Sequence, residues 1–358
     1  MEQLKNNKSG GLDKKKVLLG LSGGVDSTAA ALLLKEKGFE VTGFYFDVLG
    51  RNEDGRKEAS QVASQLGIEF IYADVSEEFG EKVIGNFCSE YLCGRTPNPC
   101  VVCNPNIKFK KLVETADSIG AFYIATGHYC RIYRDDNKGA CYVMRATNEK
   151  KDQSYMLYRL GQDVLRRLIF PLGEFSSKDE TRELARSKNL QNAEKKDSQE
   201  ICFVDPDKNY VEYIKALGFD SRPGKFIDRD GKVLGEHKGI VNYTIGQRKG
   251  LGIALGKPAF VTAIDYGNNT ITLGDNEDLF SNVVISCDNV FAYGQAKDYD
   301  GMRVMAKVRY SARPAEAVIK VDGNKITTTF KEPQRAATPG QSIVFYIDDH
   351  VVGGGFIE

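Results

Sequence analysis

An apolar run, Val17-Leu18-Leu19-Gly20-Leu21, leads directly into Ser22-Gly23-Gly24-Val25-Asp26-Ser27. The chain continues through Thr28–Lys37, rich in Ala, Leu and Lys, to Gly38. Good helix formers closed by a glycine read as a helix, so the Ser/Gly stretch is the turn between a buried strand and that helix. Gly23 and Gly24 let the backbone come close to a ligand with no Cβ in the way. First-turn amides and the positive end of the helix dipole make such a turn a phosphate site. Ser22 and Ser27 add hydroxyl donors.

Two common phosphate loops are excluded. A Walker loop needs GxxxxGK[ST], and no lysine stands at the matching place; a dinucleotide fingerprint needs GxGxxG, which Gly20–Asp26 does not spell. The six residues SGGVDS instead resemble the PP-loop of ATP pyrophosphatases, enzymes that split ATP into an adenylated substrate and pyrophosphate.

Further along, apolar strands alternate with helical stretches. Val41–Phe46, Phe70–Val75 and Phe122–Thr126 read as strands. Lys57–Leu66, Glu77 to about Leu92, Phe109–Ile119, Ser154–Leu168, Lys178–Leu190 and Tyr210–Leu217 read as helices, with Ser176 or Ser177 capping the fifth. Arg131–Arg145 reads as a hairpin. This alternation predicts an α/β fold with a doubly wound parallel sheet, its ligands at the carboxyl ends of the strands. Gly127-His128-Tyr129 falls just past one such end. From Arg222 the texture changes to glycines and short β-branched runs, which predicts a small β-rich domain and then a C-terminal barrel or sandwich. The expected domains are residues 1–217, 218–279 and 280–358, with Met1–Leu12 as a frayed tail.

The chain has 49 Lys and Arg against 49 Asp and Glu. A nucleic-acid partner must therefore be met by local basic contacts, not by a global excess of charge. No apolar run reaches the length of a membrane span and no signal peptide precedes the first strand, so the expected location is cytoplasmic. Eight cysteines in 358 residues do not make a small-domain disulfide framework, and they read as cytosolic thiols. Cys88, Cys130, Cys141 and Cys287 read as small core residues. Thr96-Pro97-Asn98-Pro99-Cys100-Val101-Val102-Cys103-Asn104 differs: two prolines stiffen it and should keep it out of helix and sheet. Cys103 then lies close before a helix expected from about Ile107, where a thiol is biased towards thiolate. Cys202 follows in Asp197-Ser198-Gln199-Glu200-Ile201-Cys202-Phe203.

Together these motifs resemble the tRNA-specific 2-thiouridylases over nearly the whole chain. The match runs through Gly20–Ser27, Gly94–Pro99 with Cys103-Asn104, Ala125–Tyr129, Lys151–Tyr155, Asp197–Phe203, Tyr243–Gly252, Arg309-Tyr310 and Pro339–Gln341. The resemblance implies that ATP, with Mg2+, binds at Gly20, Leu21, Ser22, Gly23, Gly24, Val25, Asp26 and Ser27, with Phe46 and Gly127 alongside. ATP would adenylate the 2-oxygen of a tRNA wobble uridine. Cys202 would carry a persulfide received from a cysteine desulfurase or relay protein, and Cys103 would complete a transient disulfide with it. Asn98, Pro99 and Cys100 would meet the target base. His128, Lys151, Asp152, Gln153, Arg309, Tyr310 and Gln341 would contact tRNA. Neither DNA nor a membrane is implied.

In one place the chain leaves the commonest family pattern. Many relatives have Asp after Asn-Pro, a candidate acid or base; here Cys100 stands there. Two sulfur routes are open: the persulfide route, which two cysteines suffice to explain, and a route in which Cys100, Cys103 and Cys202 hold a 4Fe-4S cluster. The competing activities are another PP-loop adenylating enzyme, such as a lysidine synthetase or an amidating ligase, and an RNA-binding module without turnover.

Overall fold

The computed structural model describes residues 11–187, 201–205 and 207–358. They divide into two compact units, one drawn from residues 1–80, 101–199 and 349–351, the other from 81–100, 200–348 and 352–358. The expected tail up to Gly10, the end of the helix expected to reach Leu190, and Asp197–Glu200 lie outside the described residues.

In the first unit the buried run becomes strand β1 (Asp13–Gly20), and Val17, Leu18 and Leu19 are fully buried. Helix α1 (Val25–Glu36) and strand β2 (Glu40–Asp47) follow, then helix α2 (Glu53–Leu66) and strand β3 (Glu69–Asp74). α2 starts four residues before the expected Lys57, because Asn52 caps it: its side chain accepts from the Gly55 amide at 2.9 Å. The expected helix from Glu77 is interrupted. It consists of α3 (Ser76–Phe79), a π-helical turn (Gly80–Ile84) and α4 (Gly85–Leu92), the last in the second unit.

The loop expected at Thr96–Asn104 is corrected by the structure. Pro99–Cys103 is a short helix, α5, followed without a break by a π-helical turn (Asn104–Lys108) and α6 (Phe109–Ser118). A proline costs nothing at the first helical position, where its missing amide has no partner to lose. Asn98 provides the start, its side-chain oxygen accepting from the Cys100 amide at 3.2 Å. Cys103 is thus the last residue of α5, inside a helical run, and the expected helix start near Ile107 does not exist.

Strand β4 (Ala121–Ala125) and the hairpin β5 (Cys130–Asp135) and β6 (Ala140–Arg145) match expectation. The helix expected over Ser154–Leu168 does not form. A 3-10 turn (Ser154–Leu157) and α7 (Gln162–Leu165) flank Gly161, and β7 (Leu168–Ile169) pairs parallel with β4, Leu168 opposite Ile124. α8 (Lys178–Ser187) begins at a capping box in which the Ser177 hydroxyl accepts from the Glu180 amide at 3.4 Å and Glu180 accepts from the Ser177 amide at 3.1 Å. The parallel sheet has the order β3-β2-β1-β4-β7, with β1 at its centre. Its carboxyl ends carry Gly20, Phe46-Asp47 and Thr126-Gly127.

In the second unit, α9 (Tyr210–Ala216) is capped by Asn209. Strands β8 (Gly224–Ile227), β9 (Val233–His237), β10 (Phe260–Asp265) and β11 (Thr270–Gly274) make a small sheet in the order β10-β11-β8-β9 over Phe226, Val261 and Ile271. Strands β12 (Phe280–Phe291), β13 (Arg303–Lys307), β14 (Ala315–Asp322), β15 (Lys325–Arg335), β16 (Ser342–Ile347) and β17 (His350–Ile357) make an antiparallel barrel. Its order is β12-β15-β14-β13-β16-β17, and β12 pairs with β17 to close it. Closure removes the exposed edges. Cys287 on β12 is half-buried, not core as expected, while Cys88, Cys130 and Cys141 are buried.

His237 is a buried neutral residue at the end of β9. Its Nδ1 accepts from the Gly239 amide at 3.0 Å, so Nε2 carries the proton and donates to the Asn269 carbonyl at 3.2 Å. Burial lowers its pKa from 6.5. Below about pH 6.5 the unfolded chain takes up this proton first, so stability is present above that pH and falls as the solution is acidified. The melting temperature should drop between pH 7.5 and pH 5.5, and the drop should shrink in His237→Gln.

Candidate active site

The turn after β1 is held by its own side chains. The Ser27 hydroxyl, 5% exposed, donates to the Gly24 carbonyl at 3.0 Å and accepts from the Ser22 amide at 3.2 Å. It is therefore a strut of the turn, whereas the Ser22 side chain is exposed. Thr28 closes the first turn of α1 through both its amide and its hydroxyl, at 3.1 and 2.9 Å from the Gly24 carbonyl. No side chain caps α1, whose cap residue is Gly24. Its first amides thus face the turn's mouth, where an anion is favoured. Gly23 takes φ +75°, a left-handed value suited to glycine.

Neighbouring strand ends wall the turn. A Cβ on Gly127 would lie 2.9 Å from the Asp26 carbonyl carbon and the Ser27 nitrogen, so the segment after β4 fits against α1 only as glycine. Phe46 stands at the end of β2, its ring edge 3.9 Å from where a Gly20 Cβ would be, and it is half-buried. Leu21 and Val25 are 1% and 3% exposed; they anchor the turn in the core, and only their backbone can serve a ligand.

Asp26 is bound by Tyr129, just past the end of β4, and by Lys178, which the sequence did not single out. Its Oδ1 accepts from the Tyr129 hydroxyl at 2.8 Å and from the Lys178 ammonium at the start of α8. Thr181 shares the Tyr129 hydroxyl at 2.8 Å, and Lys178 also lies 5.6 Å from the centre of the Tyr129 ring. The Lys178 side chain is only 10% exposed, which places a cation beside an anion-binding turn. The one available signal was its place in Ser-Lys-x-Glu at a helix start. Asp47, 3% exposed, was likewise missed; it accepts from the amides of Leu49, Gly50 and Asn52 and shapes the loop after β2.

His128 is half-buried between Phe109 and Phe170, with ring centres 6.1 Å away on each side, and its Nδ1 is 2.7 Å from the Thr126 hydroxyl. Burial, and then nearby Lys108, push its pKa well below 6.5, so the ring is neutral at physiological pH. Asp152 is 5% exposed. Its carboxylate accepts from the Ala146 and Ser154 amides at 3.1 and 3.2 Å and from the Ser154 hydroxyl at 2.9 Å. Gln153 exchanges two hydrogen bonds with the Tyr129 backbone, at 3.0 and 3.1 Å. These two side chains fold the segment that carries Lys151.

In the second unit, Cys202 is exposed in a turn closed by the Val204 amide on the Ile201 carbonyl at 3.0 Å. Phe203 anchors that turn, packed edge-on against Phe87 at 5.2 Å and against Tyr213 at 5.4 Å. Cys100 is exposed in the first turn of α5, and Cys103, in the other unit, is half-buried. Buried Cys88 and Cys130 have thiol pKa values raised by desolvation, which leaves them inert. Among the described residues no three His, Cys, Asp or Glu side chains stand together as a metal site. Arg309 and Tyr310 follow β13; the buried Arg309 Nε has no hydrogen-bond partner, and Tyr310 is 39% exposed.

Three family descriptions match the chain in succession. They are the tRNA methyl transferase HUP domain over residues 15–206, the tRNA methyl transferase PRC-barrel domain over 212–275, and the aminomethyltransferase beta-barrel domain over 285–357. A curated relative, tRNA-specific 2-thiouridylase MnmA of Clostridium perfringens, is 45% identical over 97% of this chain and 99% of its own length. The tRNA-specific 2-thiouridylase MnmA 1 of Caldanaerobacter subterraneus is 47% identical over 96% and 98%. The fold and the turn define the class, a HUP-type nucleotide-binding domain followed by two β domains. Within that class, the chain belongs to the tRNA-specific 2-thiouridylase family.

Gly127→Ala tests the packing of the turn. The added methyl meets the α1 backbone, and the displacement should lower ATP-dependent turnover by roughly 100-fold. Circular dichroism should stay that of the wild type. An unchanged rate would mean that the segment after β4 does not shape the nucleotide site.

Proposed function

We propose that this chain is an ATP-dependent sulfurtransferase that converts the wobble uridine of tRNA to 2-thiouridine. The observation that carries the reading is the uncapped first turn of α1 at the carboxyl end of the central strand, walled by Gly127. The phosphates of ATP bind the amides from Gly23 to Ser27, with the exposed Ser22 hydroxyl as a further donor, while Phe46 borders the adenine. Asp26 is the loop carboxylate that would share Mg2+ with the phosphates, where the ion would neutralise their charge. Lys178, held on Asp26, is within reach of the same charge once that carboxylate turns to the metal.

The uridine 2-oxygen attacks the α-phosphorus of ATP, and pyrophosphate leaves. A uridine carbonyl is a poor electrophile; adenylation makes its oxygen a leaving group. Cys202, exposed on its turn, receives a persulfide from a cysteine desulfurase or a relay protein. The terminal sulfur attacks C2, and AMP departs with the former 2-oxygen. Cys103 attacks the inner Cys202 sulfur, so a Cys103–Cys202 disulfide forms and the outer sulfur stays on C2. A thiol reductant returns the disulfide to two thiols with two electrons. No step passes through an iron–sulfur cluster.

Residues 1–217 serve as the catalytic domain and 280–358 as a tRNA-contacting barrel, joined by 218–279. Asn98, Pro99 and Cys100 border the flipped base. Lys151 and Arg309 take phosphates. Tyr310 offers a ring for stacking, His128 contributes a neutral ring, and Asp152 and Gln153 hold Lys151 in place. The protein works in the cytoplasm; among the described residues no helix is long and apolar enough to cross a membrane.

Mass spectrometry of tRNA nucleosides after incubation with ATP, Mg2+ and a desulfurase tests the reading, and 2-thiouridine is the expected product. Cys202→Ser and Cys103→Ser should each reduce it to background while pyrophosphate is still released. Cys100→Ser should retain most activity, since a thiol bordering the base has no step to perform. Thiolation that required all three cysteines and a reconstituted cluster would overturn the persulfide route.

Lys151→Ala and Arg309→Ala should each weaken tRNA binding. In each variant the log–log salt slope should become shallower by about 0.7 to 0.9, the loss of one phosphate contact. Wild-type affinity and slope in both variants would make these residues ordinary surface charge.

A further inference from the structure

The stretch Tyr243–Gly252 lies between a 3-10 turn (Ile240–Asn242) and β10, and it is fastened at both ends and in the middle. Tyr243 and Leu251 are buried in the core of the small sheet, with Ile245 packed against it. Between them the Gln247 side chain closes the loop on itself. Its oxygen accepts from the Thr244 amide at 3.0 Å, and its amide donates to the Lys249 carbonyl at 3.0 Å. The backbone is tied to β10 as well: the Gly246 amide donates to the Val261 carbonyl at 2.8 Å, and the Val261 amide donates to the Gln247 carbonyl at 3.0 Å. Gly246 and Gly250 take φ +85° and +77°, so the chain bends on either side of Gln247-Arg248-Lys249 where other residues would be strained. The result is a braced tip, on which Arg248, Lys249 and Gly250 are exposed.

The two long side chains on this tip are cations without counter-ions. Among the described residues no carboxylate lies within ion-pair distance of Arg248, Lys249 or Arg335. Arg335, at the end of β15, stands beside the same loop, its guanidinium 3.7 Å from where a Cβ on Gly246 would be. Its Nε donates to the Asn276 side-chain oxygen at 3.2 Å and it lies 5.6 Å from the centre of the Phe260 ring, neither of which carries charge. Other cations of the small sheet are neutralised: Lys257 and Arg229 lie 2.8 and 3.8 Å from Asp275. Like charges gathered without a carboxylate repel one another, and a polyanion relieves that repulsion. We propose that the tip Gln247–Gly250, with Arg335, is a phosphate-binding site for the tRNA backbone. A loop already braced by Gln247 loses little freedom on binding. Contacts of this kind fix the register of the RNA and read no bases. The choice of RNA as occupant rests on the function proposed above; the unpaired charge does not.

The test measures binding of an unmodified tRNA transcript to the full chain over a range of salt concentrations. Arg248→Gln and Lys249→Gln together should weaken binding by about tenfold or more and make the log–log salt slope shallower by about 1.4 to 1.8, the loss of two phosphate contacts. Arg335→Gln alone should make it shallower by about 0.7 to 0.9. Lys257→Gln, which removes a cation already neutralised, should leave affinity and slope at wild-type values. A transcript with cytidine at the wobble position should show the same changes, because phosphates and not the base are held. Wild-type affinity and slope in the double variant would overturn the site, and so would an equal effect from Lys257→Gln. Wild-type tRNA binding joined to slower persulfide transfer from the desulfurase would overturn it in favour of an acidic protein partner. The expected slope changes in a protein that makes no 2-thiouridine would support the site and remove the proposed reaction instead.

Discussion

The burial of β1 between β2 and β4 is the constraint on which the first unit depends. Val17, Leu18 and Leu19 have no exposed surface, and a strand covered on both faces has no alternating pattern to satisfy. Removing three such side chains from water stabilises the fold by several kcal/mol, at about 1.5 to 3 kcal/mol each. The strand must then end in a residue that lets the chain turn away from the sheet, and Gly20 to Gly24 do this. The ligand-binding turn is thus the compulsory exit of the most buried strand. Its place in the fold follows from the hydrophobic core rather than from its own hydrogen bonds.

Around that exit the polar groups divide into struts and hands. Ser27, Thr28, Asp47 and Asp152 have their oxygens committed to partners within the fold, and burial makes those bonds expensive to break. Ser22 and the first amides of α1 are left facing the mouth of the turn. Residue type does not distinguish the two sets. Ser22 and Ser27 are the same amino acid in the same motif, yet one is exposed and the other is 5% exposed with its hydroxyl already engaged. The thiols divide in the same way, with Cys88 and Cys130 silenced by burial and Cys100 and Cys202 exposed.

Proline carries two opposite meanings in this chain. In Thr96-Pro97-Asn98-Pro99 it denies the segment any ladder of its own and makes it dependent on Gln341, whose side-chain amide donates to the Thr96 and Pro97 carbonyls at 2.8 and 3.3 Å. Two residues after Pro97, Pro99 is the first position of a helix, where its fixed φ is an advantage. The pattern of two prolines suggested a loop through Asn104, and the first half of that reading describes the segment correctly. The second half failed because a helix start is decided by the cap, here Asn98 on the Cys100 amide. The helix expected over Ser154–Leu168 failed for a related reason: Leu168 and Ile169 found an edge of the parallel sheet to pair with, and tertiary pairing overrides local propensity.

The sequence by itself determined the alternation of strand and helix, the change to a β-rich texture after Arg222, and the turn Ser22–Ser27. Each is written in short-range pattern: an apolar run, a glycine pair, a helix former's composition. Only the tertiary structure decided that Lys178 and Tyr129 hold Asp26, that Gly127 backs onto the helix start, and that Gln341 reaches Thr96. Those partners lie 152, 103, about 100 and 245 residues apart in the chain, respectively. No local pattern encodes such pairs. They arise when the packing of the sheet and the closure of the barrel bring polar atoms to the same buried place, where each must find a partner.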